Sequence, residues 1–558
     1  MKKAKWLWVG LVLLASLFLA ACSSGNDSET SSNDDSKENG ESTSKSSEQV
    51  LHLSEGAEIP TMDSSLTIDA LASQWLGSTK DGLYRLGENG KPEPGIAKNH
   101  EMSEDGLTWT FNLREDAKWS NGDAVTADDF VYAWRRAVDP EIGSEYGPYM
   151  MSGVIKNAEA VSKGEMSLEE LGVKAVDDYT FEVTLEKPTP YFESMTTFGT
   201  FLPLNQKFVE EKGDQYAMEA DGLLSNGPFV MTEWNHGEGW KLEKNPDYWD
   251  ADAVQLEEIN VNVVKDTAAA VNLYQTDKID RVNLSSEFVD EYRSSKELKV
   301  EEEPTIFFLK MNQENEILSN LNARKAIQMV VDRQSMVEVI LNNGSITTGG
   351  NVPANFTKHP ESGEDFREIN GSLIEHDLKK AQEYWSKAKE ELNIENAELR
   401  YLGGDTEVAK NLDAYIKDQL EKLDGLSIKV ESVPFKVRLD RDKNMDYDIE
   451  NYGWGPDYID PNTFLNLWVT DGGNNKTGYS SEAYDSLIQK AGDELAQKPV
   501  ERFEAFLEAE KLLIKEDAVI APLYQRARAQ LWKPDVKGVT TNPMGPDYTY
   551  KYAYIEGE

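Results

Sequence analysis

The sequence predicts an α/β fold with mixed sheets, built from more than one structural unit. From about residue 50 onward, segments with the two-residue period of strands and segments with the 3.6-residue period of helices follow one another in irregular order, without internal repeats. The chain has 558 residues, which is more than a single hydrophobic core usually supports. Hydrophobic residues make up 39% of it and aromatic residues 10%, so there is enough apolar surface for several cores.

Two segments predict half-buried strands. In LTWTFNLRE (107–115), Leu107, Trp109, Phe111 and Leu113 alternate with polar residues, which places the apolar side chains on one face. The segment YTFEVTLEKPTP (179–190) alternates in the same way. We expect Pro188 to end that strand, because proline cannot donate to a strand ladder.

Three segments predict helices. In VTADDFVYAWRRAVDP (125–140), Thr126 is a candidate N-cap with Asp129 three residues on, and Asp139-Pro140 ends the helix. NARKAIQMVVDRQSMVEVILNNG (322–344) predicts two consecutive helices or one kinked helix. VERFEAFLEAEKLLIKED (500–517) predicts an amphipathic helix, which the strand-like AVIAPLYQ (518–525) follows.

The N-terminus predicts an export signal that ends in a lipidation site. Lysines precede an apolar run from Trp6 to Ala21, and this run is shorter than a comfortable membrane span. The residues Leu19-Ala20-Ala21-Cys22 resemble the bacterial lipobox, so we expect removal of residues 1–21 as a signal peptide and attachment of lipid to Cys22. The alternative is an uncleaved anchor helix with an incidental cysteine.

Residues 22–47 predict a disordered tether. This segment is rich in serine and in acidic residues and has nothing apolar after Cys22, so it cannot bury enough surface to fold. A flexible coil of this length has a root-mean-square reach of about 30 Å. We therefore expect the folded body to lie near a membrane without being embedded in it.

Composition and motifs argue against several function classes. A formal net charge of −44 repels phosphate backbones, so we expect no nucleic-acid ligand. The histidines are scattered without an HExxH pair and Cys22 is the sole cysteine, so we predict no metal site. Because no GxGxxG, P-loop or GxSxG pattern occurs, we also expect no cofactor and no catalytic residue.

The segment NYGWGPDYIDPNTFLNLW (451–468) contains two acids that need separate explanations. Asp457 follows a predicted strand end, glycines and a stiffening proline. It is a candidate for a helix cap, a solvated turn residue, a metal ligand, an acid or base, or the partner of a cation; acid–base chemistry would need a second group in reach. Asp460 has a simpler interpretation, because Asp460-Pro461 is typical of the N-cap and first residue of a helix.

Several segments together resemble one protein family. They are DGLYRLGENGKPEPGIAKNHEMSEDGLTWTFNLREDAKWSNGDAVTADDFVYAWRRAVDP (81–140), SNGPFVMTEW (225–234), LEKNPDYWD (242–250), NARKAIQMVVDR (322–333) and GWGPDYIDPNTFLNLW (453–468). In this order, and joined to a lipobox, they resemble the peptide-binding solute-binding lipoproteins of ABC importers, above all the oligopeptide-binding proteins of Gram-positive bacteria. The resemblance extends from about residue 50 to the end of the chain.

The resemblance implies a periplasmic-binding-protein-like fold. Two α/β lobes with mixed sheets and a smaller inserted domain would enclose the ligand between the lobes. Carried onto this chain, a discontinuous lobe I comprises residues 48–81, 206–304 and 525–558. The inserted small domain is then 82–205, and lobe II is 305–524.

The resemblance also implies a function and its partners. The expected protein is a binding module and not an enzyme: it captures extended oligopeptides by lobe closure and delivers them to an ABC permease and, through it, to the ATPase subunits. We expect a monomer that is lipid-anchored at the outer face of the cytoplasmic membrane of a Gram-positive bacterium. A binder of many peptides must use what all peptides share, namely backbone amides, ammonium and carboxylate.

The resemblance assigns roles to individual residues. Asp457 matches the position that forms a salt bridge with the peptide ammonium, and Tyr146 matches an aromatic residue that covers the same end of the peptide. The remaining ligand-binding positions are Ile68, Asp69 and Ala70, which match a segment that pairs with ligand backbone, and Gly453, Trp454 and Gly455 facing it. For Trp454, core packing is an equal alternative.

The cation that holds the peptide carboxylate is the point at which this sequence departs from enterobacterial relatives. Those relatives carry an arginine where Asn451 stands here. Lys310, Arg438 and Arg441 are tentative replacements, and surface solvation is the alternative for each.

Two rival functions stay open at this stage. The same fold binds a nickel chelate, haem or a sugar in other branches of the superfamily, and those ligands offer no ammonium to Asp457. A surface hydrolase or adhesin is the other rival, and a hydrolase would turn peptide over, whereas a binder would return it intact.

Overall fold

The computed structural model describes residues 48–87, 90–189 and 191–557. The predicted signal peptide (1–21), Cys22 and the predicted tether (22–47) lie outside the described residues. Strands and helices are numbered below in chain order.

The first sheet runs in the order β1–β10–β9–β8, with β1 parallel to β10 and the other pairs antiparallel. Its strands are β1 (Val50–Glu55), β8 (Phe229–Asn235), β9 (Gly239–Lys244) and β10 (Glu258–Val263). They come from segments 48–81 and 206–304, which the family resemblance predicts to be parts of lobe I.

A second, antiparallel sheet runs in the order β4–β5–β7–β6 and lies within residues 82–205. Its strands are β4 (Ala97–Met102), β5 (Thr108–Leu113), β6 (Val173–Asp177) and β7 (Thr180–Thr184). Both predicted half-buried strands are therefore confirmed as β5 and β7. The second of them ends at Thr184, four residues before Pro188.

The third sheet is mixed and runs in the order β11–β17–β12–β16–β14–β15, with β13 paired to β17. Its strands are β11 (Arg281–Asn283), β12 (Leu298–Met311), β13 (Ile346–Thr347), β14 (Ala397–Gly404), β15 (Leu426–Val433), β16 (Ile449–Trp454) and β17 (Ile520–Trp532). β14 is parallel to both β15 and β16. The lobe boundaries expected at 304/305 and 524/525 fall inside β12 and β17, which pair with each other.

Short antiparallel pairs complete the strands. They are β2 (Tyr84–Leu86) with β3 (Pro92–Pro94), β18 (Val536–Lys537) with β21 (Tyr554–Ile555), and β19 (Thr540–Thr541) with β20 (Tyr548–Thr549).

The helices pack around these sheets. They are α1 (Ala70–Thr79), α2 (Ala127–Val138), α3 (Tyr146–Met151), α4 (Ala158–Ser162), α5 (Phe192–Met195), α6 (Gln206–Lys212), α7 (Thr267–Gln275), α8 (Ser286–Tyr292), α9 (Leu321–Val330), α10 (Arg333–Ser335), α11 (Phe366–Asn370), α12 (Leu378–Leu392), α13 (Glu407–Leu420), α14 (Phe435–Lys443), α15 (Asn462–Leu465), α16 (Glu482–Gly492) and α17 (Pro499–Lys511). π-helical turns, Met336–Leu341 and Leu512–Glu516, follow α10 and α17.

The predicted helices are confirmed, and their starts have local causes. The Thr126 N–H donates to the Asp129 carboxylate at 2.9 Å, which satisfies one backbone donor at the start of α2. α9 ends at Val330 and α10 begins at Arg333, where the Asp332 side chain accepts from the Ser335 N–H at 3.1 Å. The segment 322–344 thus forms consecutive helices.

The interior is as aromatic as the composition predicts. Trp75, Trp119, Trp134, Trp385 and Trp468 are fully buried. Such large rings contribute much of the apolar area that stabilises a core. Within the part of the chain that the structure describes, no helix combines the length and the apolar character needed to cross a membrane.

Candidate functional site

A cavity of about 230 Å³ lies where β16 ends. Segments from distant parts of the chain form its walls: residues 67–70 at the start of α1, the first residue of α3, the start of α14 and the loop 542–547. β14, β15 and β16 are parallel and end at one edge of the third sheet. The crevice outside the carboxyl ends of parallel strands is the common ligand site of open α/β sheets.

Asp457 is a buried carboxylate in this cavity, and its side chain contacts hydroxyl groups. It is 4% exposed. The Tyr146 and Thr463 hydroxyls lie 3.5 Å from its Oδ1 and Oδ2 atoms, and its own N–H donates to Thr463 Oγ1 at 3.0 Å. Burial raises the pKa of Asp457 to about 8, because loss of water outweighs the hydrogen bonds from Tyr149, Thr463 and Tyr146. Among the described residues, no lysine, arginine or histidine forms an ion pair with it.

Aromatic rings form the wall beside Asp457. Tyr146 stacks on Trp454 with ring centroids 6.1 Å apart and on Phe198 with centroids 5.2 Å apart. Tyr149 meets Trp454 edge-on at 6.2 Å. Trp454 is 6% exposed and lines the cavity, so its side chain is packed in the interior, and its contact with a ligand stays a prediction. Burial raises the pKa of the Tyr146 phenol well above its usual value, so Tyr146 stays a neutral donor.

Residues Ile68, Asp69 and Ala70 lie at the start of α1 and line the same cavity. Asp69 is the N-cap of α1, and its Oδ1 accepts from the Ala72 N–H at 2.9 Å. Its Oδ2 is buried and has no hydrogen-bond partner among the described residues. Burial raises the pKa of Asp69 to about 6, against the backbone hydrogen bonds that lower it.

Close packing against β12 requires glycine at positions 453 and 455, and the sequence alone does not show this requirement. A Cβ atom on Gly453 would lie 2.6 Å from the Phe307 ring, and one on Gly455 would lie 3.1 Å from Thr305 Oγ1. Both positions therefore face β12 closely, and Gly453 pairs with Phe307 in the sheet. They also line the cavity, as the resemblance implies.

The sheet contains a gap beside the cavity. β16 pairs with β12 along all of Ile449–Trp454, but the described pairing of β16 with β14 stops after Glu450. Residues 451–454 thus have a sheet neighbour on one side only among the described strands. Tyr452, Gly453 and Trp454 belong to this stretch and to the cavity wall. An unpaired strand edge of this kind can accept an added strand through backbone hydrogen bonds.

Of the three tentative carboxylate-binding cations, Lys310 is deeply buried, so the surface interpretation of this residue is wrong. Its ammonium pairs with Asp442, lies 3.5 Å from Glu450 Oε2, and sits 3.9 Å from the centre of the Tyr452 ring. These acids come more than a hundred positions later in the chain, which explains why the local sequence gives no sign of them. Lys310 lines a smaller neighbouring cavity with Asp442 and Trp468.

The structure brings Arg438 to the candidate site and leaves Arg441 outside it. Arg438 lines the cavity, with its Nε 3.4 Å from Glu450 Oε1 and its guanidinium 5.6 Å from the centre of the Phe435 ring. Arg441 instead pairs with Glu431 at 2.7 Å and with Asp446 at 2.9 Å. Its charge is therefore neutralised by residues of its own surface.

The sequence interpretation missed a charged group in the cavity wall. Arg526 and Glu303 line the cavity and pair with each other. Arg528 lies 2.7 Å from Glu303 and 2.7 Å from Asp547. Burial alone would raise the pKa of Asp547, but Arg528 and Arg526 lower it. The available signal was the alternation of Arg526 and Arg528 along a strand, which places both on one face.

Asp460 is structural, as predicted, but its main partner is a distant arginine and not the N-terminus of the following helix. The helix after it begins at Asn462, one residue later than expected, and Asp460 Oδ1 accepts from the Asn462 N–H at 3.0 Å. Both carboxylate oxygens also accept from Arg502, at 2.6 and 2.8 Å. This bidentate pair fixes Asp460 and separates its role from that of Asp457.

The described residues contain no group of three or more His, Cys, Asp or Glu side chains that could hold a metal ion. The acids of the cavity are instead distributed around its walls: Asp69, Glu303, Asp457 and Asp547.

Comparison with known proteins identifies the family. Residues 91–476 match the bacterial extracellular solute-binding proteins, family 5 Middle. This chain belongs to that family. The predicted resemblance is thereby confirmed, and a family 5 protein acts as an extracellular solute-binding protein.

Relatives of this family 5 protein cover nearly its whole length. It is 33% identical to the oligopeptide-binding protein OppA of Bacillus subtilis, over 99% of this chain and 100% of the relative. The substrate-binding domain of an oligopeptide ABC transporter from Bacillus anthracis str. Ames matches with a TM-score of 0.90 and 46% identity, over 92% of this chain and 99% of that one. Listeria monocytogenes OppA bound to peptide matches with a TM-score of 0.88 and 44% identity, over 91% and 99%. The predicted fold class is thus confirmed.

Proposed function

We propose that this family 5 protein captures extended oligopeptides through their backbone and N-terminal ammonium and delivers them to an ABC permease. The observation that carries the proposal is Asp457, a buried carboxylate in a cavity with hydroxyl contacts and no cationic partner among the described residues. A buried charge of this kind is stable only when it is paired or neutralised. A ligand ammonium supplies the missing partner. The relatives named as oligopeptide-binding support the same ligand class.

We propose that the ligand backbone binds along the unpaired edge of β16. An extended peptide lies in the gap beside residues 451–454 and exchanges hydrogen bonds with Tyr452, Gly453 or Trp454, while residues 68–70 face it from the other wall. Backbone pairing carries no information on side chains, so peptides of many sequences bind with the same contacts.

Arg438 is the residue that we assign to the peptide carboxylate, or to an acidic side chain near it. It lines the cavity, and its terminal guanidinium nitrogens form no hydrogen bond with any part of the chain that the structure describes. Arg526 is less suited to this role, because Glu303 already neutralises it.

Lobe closure is the mechanism that we propose for capture. The lobes are those expected from the sequence: 48–81 with 206–304 and 525–558, against 305–524, with 82–205 inserted. β12 and β17 cross from one to the other. The cavity has walls from all three units, so a ligand that contacts them stabilises the closed arrangement over the open one. No step of this cycle breaks a bond in the ligand, and the protein works as a monomer without catalysis.

We further propose that Cys22 carries lipid and holds the protein at the outer face of the cytoplasmic membrane, where the permease and its ATPase subunits act. The lipobox-like residues before Cys22 support this location. Replacing Cys22 with Ser in a Gram-positive host should release the protein into the medium. A Ser23→Ala variant is the matched control and should stay with the membrane; a Cys22→Ser protein that also stays there contradicts the anchor.

The decisive test of the ligand class compares one peptide with its N-acetylated form by calorimetry. Acetylation removes the ammonium and leaves the backbone unchanged, so we expect affinity to fall by at least thirtyfold. Equal affinities would overturn the role of Asp457. Native mass spectrometry of the purified protein then identifies the retained ligand: a peptide mass supports the proposal, whereas a nickel chelate, haem or a sugar contradicts it.

A further inference from the structure

Two ion pairs join the start of α3 to a distant part of the chain. Glu145, the residue before α3, has one carboxylate oxygen 3.3 Å from Lys443 Nζ and the other 3.5 Å from Lys476 Nζ. The side chain of Glu145 is only 14% exposed, and that of Lys476 is 19% exposed. Both residues line the smaller cavity that also contains Lys310. Partly buried pairs are screened less by salt than exposed ones, so these contacts hold the start of α3 in place.

α3 is firmly packed within its own unit. It lies against α2, where a Cβ atom on Gly147 would collide with the Ala137 carbonyl oxygen. Both helices belong to residues 82–205, which we predict to be an inserted domain, whereas the two lysines belong to the predicted lobe II (305–524). The contacts of Glu145 therefore join the inserted domain to lobe II.

The tyrosines of α3 reach Asp457 across the same boundary. The Tyr146 hydroxyl lies 3.5 Å from Asp457 Oδ1, and Tyr149 also donates a hydrogen bond to Asp457. The Tyr149 hydroxyl lies 3.4 Å from the carbonyl oxygen of Thr463. Distances of 3.4 to 3.5 Å are near the outer limit of a hydrogen bond, so a displacement of α3 by a few tenths of an ångström breaks or strengthens these contacts. The position of α3 thus determines how many hydroxyl donors Asp457 receives.

These hydroxyl donors favour the state of Asp457 that an ammonium ligand requires. In the proposed function, Asp457 is ionised when a ligand ammonium pairs with it. Hydrogen bonds to an ionised carboxylate are roughly twice as strong as those to a neutral group. The tyrosine hydroxyls therefore stabilise the complex with a free-amine ligand more than the complex with a ligand that lacks the ammonium.

We propose that Glu145 is a positioning residue of the ammonium site. By pairing with Lys443 and Lys476, it holds the α3 hydroxyls at Asp457 and so selects ligands that have a free N-terminal amine. Glu145 lies outside the described lining of the cavity around Asp457, so it acts through Tyr146 and does not touch the ligand. This inference rests on the proposed function and adds to it the residue that controls ammonium selectivity.

Calorimetry on Glu145→Gln tests the proposal with one free-amine peptide and its N-acetylated form. Glutamine keeps the size of the side chain and removes its charge. The ratio of the two affinities should fall about fivefold from the wild-type ratio, because the free-amine peptide loses a well-placed hydrogen-bond donor at Asp457. An unchanged ratio would overturn the proposal. If both peptides bind more weakly by the same factor, Glu145 only holds the two units together.

A control variant and a partner variant make the test specific. Glu159→Gln is the matched control, because Glu159 forms an exposed pair with Lys163 within residues 82–205, and the ratio should not change. Lys476→Met removes one partner of Glu145 from the other side of the boundary, so it lowers the ratio even if Glu145→Gln fails to fold. A double variant that folds should behave as Glu145→Gln alone, since both changes break the same contact. An unchanged ratio in Lys476→Met, or additive losses in the double variant, would contradict the positioning role.

The proposed function and the role of Glu145 fail in different ways. If the wild-type protein binds the free-amine and N-acetylated peptides equally, the ammonium role of Asp457 is wrong, and the positioning role fails with it. If the wild-type protein discriminates between them and Glu145→Gln discriminates equally well, only the positioning role is wrong.

Discussion

At the scale of single residues, Asp457 differs in its surroundings from the acids of this chain that pair with an arginine. Glu510 pairs with Arg367, Asp63 with Arg136, and Asp460 with Arg502. Asp457 instead contacts hydroxyl groups, which donate weakly and carry no charge. An acid in such a site is more stable in its neutral form until a cation arrives, and this is the electrostatic basis of the ammonium capture that we propose.

Asp457→Asn should weaken peptide binding by about 2–5 kcal/mol, the range for removing one partner of a buried interfacial charge pair. The amide keeps the size of the side chain, so we expect the fold to be retained. Calorimetry with a free-amine peptide measures the loss. Asp471→Asn is a suitable control, because Asp471 is exposed and its positive φ suits asparagine. Unchanged affinity in Asp457→Asn would contradict the assignment.

Peptide binding should release a proton near pH 6. The pKa of Asp457 is about 8 without ligand, so the acid is protonated there, and it must ionise to pair with an ammonium. Calorimetry in buffers of different ionisation enthalpy should give about one proton released at pH 6, with the contribution of Asp457 disappearing above pH 8. The Asp457→Asn variant should release none. Equal release by both proteins would assign the proton to another group.

Whether the role of a residue could be predicted from the sequence depended on how far along the chain its partners lie. Asp460 was predicted to be structural because Pro461 is its neighbour, although the pairing with Arg502 was not visible. The burial of Lys310 was not predictable, since Asp442 and Glu450 lie far along the chain and carry no signal near position 310. The proposed ammonium role of Asp457 rests on the family resemblance, because its proximity to Tyr146 is a property of the folded chain that the local sequence does not show.

At the scale of elements, β16 brings most of the candidate site together. It supplies Tyr452, Gly453 and Trp454 to the cavity, and the turn after it supplies Asp457. Gly453 is required on its β12 side by the Phe307 ring, so the same residue serves internal packing and the cavity wall.

Gly453→Ala should destabilise the protein by about 1–3 kcal/mol, because the new Cβ meets the Phe307 ring at 2.6 Å. Denaturant unfolding measures the change. In a Phe307→Leu background the cost should be smaller, since the smaller side chain relieves the contact. Gly473→Ala is the control, because its Cβ would have no neighbour closer than 3.8 Å. An equal cost in both backgrounds would exclude the ring as the cause.

Elements with local causes were predictable, and those formed by long-range pairing were not. The alternation in β5 and β7 and the N-terminal signals of α2 depend on neighbours within a few residues, and all three were predicted. The gap between β14 and β16 depends on strands that are separated by α13, β15 and α14, so no local pattern reveals it.

At the scale of the whole molecule, the proposed closure couples ligand binding to stability. A peptide at a hundred times its dissociation constant should raise the free energy of unfolding by about 2.7 kcal/mol. Thermal unfolding measures this, and small-angle scattering should show a smaller radius of gyration with peptide. The N-acetylated peptide at the same concentration should have little effect on either quantity. Stabilisation without compaction would contradict closure and leave binding intact.

In the proposed binding mode, the gap in the third sheet also determines which backbones are admitted. A guest strand must offer N–H donors at alternate positions and the chirality that an L-peptide strand has. Proline or an N-methylated residue at a pairing position lacks the donor, and a D-residue turns its side chain into the sheet. A protein that binds peptides in this proposed way discriminates by stereochemistry and backbone chemistry, and is indifferent to most of the information that side chains carry.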